Sequence, residues 1–211
     1  GASLYLLPAR RICGRIDALS FAHIRQQPRP MAHQASKSQL SIDEYLDGER
    51  SSPIKHEYAA GHVFAMAGAS ERHNRIALNL GAHLHQVTRK SDCVAFISDM
   101  RVRIDQVVYY PDLMVCCDPA DNDPYLKQSP CLIIEVLSES TERIDRGEKL
   151  HNYRQINSLQ AYVLVAQDTP RVEIYRRTSG PHWQFESYSV NDELIELPCP
   201  PSQITLAEVY E

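Results

Sequence analysis

The chain has 211 residues, 43% hydrophobic and 23% charged, proportions ordinary for a soluble globular protein of one domain or a domain with an appendage. No apolar run approaches the length of a membrane span, so no membrane partner is expected. Net charge is −5, and residues 1–30 hold five arginines and one acid, leaving 17 bases against 26 acids in the rest. Such a body is unsuited to wrapping nucleic acid by bulk phosphate neutralisation, although a small basic strip near a site would suffice for an enzyme.

Residues 1–30 are Arg-rich and acid-poor, a composition that can signal a transit peptide. Met31 follows Pro28-Arg29-Pro30 and begins MAHQASKSQLSIDEYL, which looks like a natural bacterial start. Residues 1–30 are therefore expected to be a disordered or non-native extension, and residues 31–211 the domain. Ser41 opens a short helix with acids in its first turn, ending near Gly48. Residues 54–59 and 62–67 read as two strands turning at Ala60-Gly61. Residues 70–89 follow as a helix with Ile76, Leu80, Leu84 and Val87 on one stripe. Strands are predicted at 93–97, 100–104 and 113–117. A loop rich in turn formers spans 118–129. Then come a strand at 131–137, a helix over 141–156, strands at 161–166, 172–177, 183–189 and 194–197, and a last short helix from Thr205. Mixed helices and strands with much antiparallel pairing define an α/β protein.

The chemistry concentrates between Tyr110 and Tyr153. Asp112 opens the apolar run Leu113–Cys117, and Glu135 interrupts the apolar run that begins at Leu132. A carboxylate buried among apolar residues is costly unless it is paired or holds a cation. Lys149 lies fourteen residues after Glu135, in the predicted helix. Two carboxylates on neighbouring strands and one lysine are the minimal equipment for metal-assisted phosphodiester hydrolysis: the acids grip a hard divalent ion, the ion polarises phosphate and acidifies a bound water, and the lysine orients that water or offsets developing charge. Each residue also has a plain reading. Asp112 after Pro111 can simply cap a turn, Glu135 can have a buried structural partner, and Lys149 can be a solvated helix residue.

These residues resemble the PD-(D/E)xK nuclease pattern, and more closely the Uma-two family of restriction-endonuclease-like bacterial proteins. Pro111-Asp112 matches the first element and Glu135, in IIEVLSEST, the acidic position of the second. Leu137 stands where the parent motif has lysine. The family shares that departure, and the resemblance assigns the missing role to Lys149. It spans roughly residues 40–211 and is specific over 99–165. It implies a restriction-endonuclease-like fold, a mixed central β-sheet flanked by helices. It implies Mg2+ (or Mn2+) held by Asp112, Glu135 and Glu57, and a catalytic set of Asp112, Glu135, Lys149 and His73.

Glu57, on the first hairpin, could equally be an exposed strand residue. His73, at the start of the long helix, could donate a proton to a leaving group or merely pack and cap. Asp99 is expected to be structural, pairing with Arg101 or a backbone turn, and Ser138, Asp145 and Tyr153 to support the site. The resemblance further implies DNA as substrate and the option of a homodimer, with Tyr175, Trp183, Phe185 and Tyr188 as interface anchors or core. A catalytically silent scaffold of the same fold, and a hydrolase of small phosphoesters, are the alternatives. None of the six cysteines forms a Cys-x-x-Cys pair, so a zinc knuckle is not expected. All six read as reduced thiols of a cytoplasmic protein.

Overall fold

The first helix, α1 (Ile42–Glu49), starts where its capping chemistry puts it: the Ser41 hydroxyl accepts from the Glu44 N–H, and the Glu44 carboxylate accepts from the Ser41 N–H at 2.9 Å. The computed structural model describes residues 39–189 and 193–211, so the expectation for residues 1–30 lies outside the described residues. Strands β1 (His56–Ala59) and β2 (His62–Ala65) form the expected hairpin. Its two turn residues, Ala60 and Gly61, have φ of 45° and 90°, the left-handed backbone that a two-residue hairpin requires. Helix α2 (Glu71–Thr88) is capped by Ser70 and buries Ile76, Ala77, Leu80 and Leu84 on one face.

Strands β3 (Val94–Ile97), β4 (Arg101–Ile104), β5 (Val107–Tyr109), β6 (Leu113–Cys116), β7 (Leu126–Lys127) and β8 (Pro130–Leu137) follow. Next come α3 (Glu142–Ile144), a π-helical turn (Asp145–Lys149) and α4 (Leu150–Tyr153). The C-terminal part contains β9 (Ala161–Ala166), β10 (Val172–Arg177), β11 (Trp183–Tyr188), β12 (Leu194–Pro198), β13 (Pro201–Thr205) and α5 (Leu206–Tyr210). The principal sheet has six strands in the order β11-β10-β9-β8-β6-β3, with β8 and β9 parallel and the other pairs antiparallel. A second sheet has the order β2-β1-β5-β4-β7, and among the described residues β12 and β13 form a two-stranded sheet.

Strand β8 is buried on both faces, which is why it reads as a nearly continuous apolar run. Its alternation splits the core in two. Leu132, Ile134 and Val136 pack with α2, α5 and the β12–β13 hairpin. Ile133 and Leu137 face the other side with Tyr153, Tyr162 and Leu164. By strand periodicity Glu135 points to this second side, toward the segment that carries Lys149.

Several expectations need correction. The helix expected over 141–156 is broken by the π-helical turn and ends at Tyr153. Strands β5, β7 and β13 were not legible: each is short or polar and owes its extended form to a partner strand. The cysteines are not all thiols. Cys93 is bonded to Cys117 and Cys131 to Cys199, while Cys116 is buried and unbonded among the described residues, and Cys13 lies outside them. Sequence spacing is silent on such pairs, because Cys93 meets Cys117 through the β3–β6 register, one step beyond the Val94–Cys116 pair. Asp99 pairs with Lys55, whereas Arg101 is buried and donates to the Tyr125 carbonyl.

Candidate active site

Strands β6 and β8 lie side by side with Leu113 opposite Ile134, so Asp112 stands across from Glu135. Backbone groups fasten both acids. The Asp112 N–H donates to Glu135 Oε2 at 3.2 Å, and the Val136 N–H donates to Asp112 Oδ2 at 2.7 Å. Each carboxylate is thus held by the strand of the other, and neither can turn away without breaking a bond in the sheet interior.

The π-helical turn supplies the counter-charge. Such wide turns are uncommon and concentrate at functional sites. Here the turn directs both Asp145 and Lys149 into the protein, at 2% and 5% exposure. Lys149 Nζ lies 3.0 Å from Glu57 Oε1, 3.2 Å from Glu135 Oε1 and 3.2 Å from Asp145 Oδ1. Tyr153, one turn onward, donates its hydroxyl to Glu135 Oε1 at 2.8 Å. Glu57, Glu135 and Asp145 thus hold this lysine, while Asp112 pairs with His73 instead. Asp145 was legible only as a supporting residue. Its separation of four from Lys149 was the available signal, since such residues share a helix face.

On the open side, Glu57 reaches in from β1 and accepts from the Tyr110 N–H at 3.3 Å. His73, in the first turn of α2, places Nε2 3.2 Å from Asp112 Oδ2. All five residues singled out by sequence, Glu57, His73, Asp112, Glu135 and Lys149, therefore meet in one place. Ser138 instead bonds to Ser140 and Thr141 at the start of the following helix.

The electrostatics are those of an acid-rich pocket. Burial drives the Glu135 carboxyl well above the usual carboxylate range, and Asp145, Asp112 and Glu57 add to the rise while Lys149 opposes it. Asp145 is also raised, first by burial. Burial alone would lower the Lys149 ammonium, but Glu135, Glu57 and Asp145 outweigh it and hold its pKa well above the ordinary lysine value. The hydrogen bond to Asp112 raises His73, against the opposing effect of burial.

The donor set is of the carboxylate type that a hard divalent cation takes. Four carboxylates (Glu57, Asp112, Glu135, Asp145) face Lys149 and His73, an excess of negative charge in a partly dry site. Asp145 Oδ1 is buried within ion-pair distance of Lys149 but accepts no hydrogen bond. Every candidate ligand atom is a carboxylate oxygen, the donor type that magnesium and manganese prefer. Asp112 and Glu57 are the more exposed members, so the approach is from their side. A cleft of about 790 Å³, lined by Arg154, Arg177 and Trp183 among others, contains none of these residues. Arg177 there donates to the Leu159, Arg154 and Ile156 carbonyls, which makes it a clamp between loops.

The six-stranded mixed sheet with acids at the facing ends of β6 and β8 defines a restriction-endonuclease-like fold. The same fold occurs in a crystal structure described as "a putative nuclease belonging to DUF820" from Anabaena variabilis, with a TM-score of 0.66 at 18% identity, covering 81% of this chain and 97% of that one. The chain belongs to the Uma2 family, described as "Putative restriction endonuclease", whose family pattern matches residues 42–208. Two uncharacterized proteins of Synechocystis sp. are similar to it. One, slr1290, is 35% identical over 158 residues, 74% of this chain and 83% of the relative. The other, sll1609, is 36% identical over 149 residues, 68% of this chain and 84% of the relative. Among the described residues no helix is long and apolar enough to cross a membrane.

Proposed function

We propose that the protein is a divalent-metal-dependent endonuclease that hydrolyses DNA phosphodiester bonds. The observation that carries this reading is the surplus of carboxylates gathered around one buried lysine, at strand ends where the family's nuclease motif falls. Asp112, Glu135 and Glu57 would hold Mg2+ or Mn2+, which when bound polarises the phosphate and acidifies a water. Lys149, pinned by three carboxylates, offers a positive charge that needs no reorganisation as negative charge develops on the phosphate. His73, whose pKa the hydrogen bond to Asp112 raises, is the candidate donor to the departing oxygen. Asp145 and Tyr153 keep Lys149 and Glu135 in position.

The test is incubation of plasmid and single-stranded DNA with magnesium or manganese, beside Glu135→Ala and Lys149→Ala. Metal-dependent cleavage lost in both variants supports the reading; cleavage that persists in either removes that residue from it. Two proposals accompany it. Cutting both strands calls for two sites, hence a homodimer, with the exposed Phe185 on edge strand β11 as a candidate anchor. The substrate calls for a cytoplasmic location.

One observation favours a second reading, a catalytically silent scaffold. Lys149 already makes three ion pairs within the protein, as a purely structural charge cluster would. Under that reading neither cleavage nor a divalent-cation shift in melting temperature is seen.

A further inference from the structure

Four cysteines far apart in sequence form one connected cluster of sulfurs. Cys93 precedes β3, Cys117 follows β6, Cys131 lies in β8, and Cys199 sits in the turn between β12 and β13. The bonded pairs are Cys93–Cys117 and Cys131–Cys199, but the two pairs also touch: Cys117 Sγ lies 3.4 Å from Cys131 Sγ and 3.3 Å from Cys199 Sγ. Cys93, Cys117 and Cys199 have all their sulfurs within 4.8 Å of one another. A zinc ion bound by four cysteines has Zn–S bonds of about 2.3 Å in a tetrahedron, which sets neighbouring sulfurs about 3.8 Å apart. The contacts between the pairs are already near that edge length. Thiolate sulfur also selects zinc-type ions over the magnesium-type ions suited to the acid site.

We propose that Cys93, Cys117, Cys131 and Cys199 form a tetrathiolate site for a zinc-type divalent cation when the chain is reduced, the two disulfides being the oxidised form of the same cluster. Binding releases four protons from the four thiols and leaves a closed site without an open position, the pattern of a structural rather than a catalytic ion. Conversion of the disulfide form requires four electrons and four protons, supplied by a thiol or phosphine reductant. The site is separate from the acid cluster. Asp112 and Cys117 flank β6, five residues apart, and Cys131 lies four residues before Glu135 on β8, so roughly 13–17 Å of extended chain intervenes. Its mechanical consequence falls on the C-terminal hairpin. β12 and β13 share no ladder with either larger sheet, and Cys199 links their turn to β8 directly. That hairpin leads into α5, which shares the first core with α2.

The experiment uses the full chain reduced with a phosphine, titrated with cobalt(II) and then zinc, with metal content measured after desalting. The expected result is one ion per chain, thiolate-to-cobalt charge-transfer bands that zinc abolishes, and loss of both in Cys117→Ser and Cys199→Ser. Cys116→Ser is expected to bind as the unaltered chain does, and Glu135→Ala, whatever it loses at the acid site, to keep the thiolate-to-cobalt bands, which only the cysteines can give. A chain that unfolds on reduction and refolds when zinc is added also supports the proposal. Failure of zinc to restore that fold, absence of stoichiometric uptake, or cobalt spectra without thiolate bands would each overturn it and leave the four cysteines as two disulfides only.

Discussion

Glu135 carries the sharpest conflict in the molecule. Its pKa is raised, so the folded state holds its proton more tightly than the unfolded chain does. A raised carboxyl favours folding below the ordinary value near 4.5 and costs stability as pH climbs from there through the folded value. Glu135→Gln keeps one acceptor oxygen, which Tyr153 can still use, and loses the second that accepts the Asp112 N–H, but it removes the cost of the buried charge, and Lys149 retains Glu57 and Asp145. We expect the metal-free variant to melt higher than the parent at neutral pH, by about 2–4 °C for each kcal/mol relieved. The variant should also lose any stabilisation by magnesium or manganese. Equal melting temperatures at pH 7, or an undiminished cation effect, would contradict this. Lys149→Ala goes the other way. Removing one partner of a buried ion cluster costs about 3–5 kcal/mol, and added divalent cation should recover more of the loss here than it adds to the parent. His73 gives a pH signature of its own. Its pKa is raised by Asp112, so the pair's contribution is full below the ordinary value of 6.5 and disappears as pH rises through the folded value. Thermal melts of His73→Gln against the parent should therefore differ most in mildly acidic buffer and converge in alkaline buffer; a constant gap would show that His73 only packs. At this scale the sequence was informative about Asp112 and Glu135, because an acid inside an apolar run has few innocent explanations. It could not rank Asp145 against Asp112 as a partner of Lys149, since that depends on which side of a distorted helix turns inward.

At the scale of elements, legibility followed local chemistry. α1, α2, the β1–β2 hairpin and α5 were readable because capping residues, an apolar stripe or a turn pair mark them. β13 was not, since Pro201-Ser202-Gln203-Ile204-Thr205 has no alternation of its own and is extended through its pairing with β12. The π-helical turn was equally hidden. Nothing in Asp145–Lys149 forbids an ordinary α-helix, and the widened turn lies where Lys149 pairs with Glu57 and Glu135 and, within the turn, with Asp145. The hairpin turn offers a direct test of how such an element supports the site. Gly61 has φ of 90°, and a Cβ there would sit 2.7 Å from Gln39 Cβ. Gly61→Ala should destabilise the chain by more than about 1 kcal/mol, because backbone strain and a clash add. Ala60→Gly, at φ 45°, should be neutral or stabilising by up to about 1 kcal/mol. Urea unfolding resolves both. Because β1 carries Glu57, the Gly61 variant should also weaken the divalent-cation effect, and an unchanged cation response would detach the hairpin from the site.

The whole molecule is a poor match for DNA by charge alone, and that constrains how a nuclease built on it must bind. Outside residues 1–30 the chain has 17 bases and 26 acids, and the site itself is an acid cluster. Phosphates approaching Asp112 and Glu57 are repelled unless a cation stands between them. Binding should therefore need a divalent ion, and the log of affinity should fall only gently with the log of salt. A protein making about 6–10 phosphate contacts loses roughly 10³–10⁵ in affinity between 50 and 200 mM salt, and this chain should lose far less. The five arginines of residues 1–30 are a concentration of positive charge able to mimic site binding, so the comparison must include a chain that begins at Met31. We expect both chains to retain a short duplex on Glu135-intact protein in calcium or magnesium and to release it in chelator. Tight chelator-resistant binding with a steep salt slope, lost when residues 1–30 are removed, would show that the arginines and not the acid site hold the nucleic acid. The same steep slope in the chain beginning at Met31 would contradict the charge argument itself.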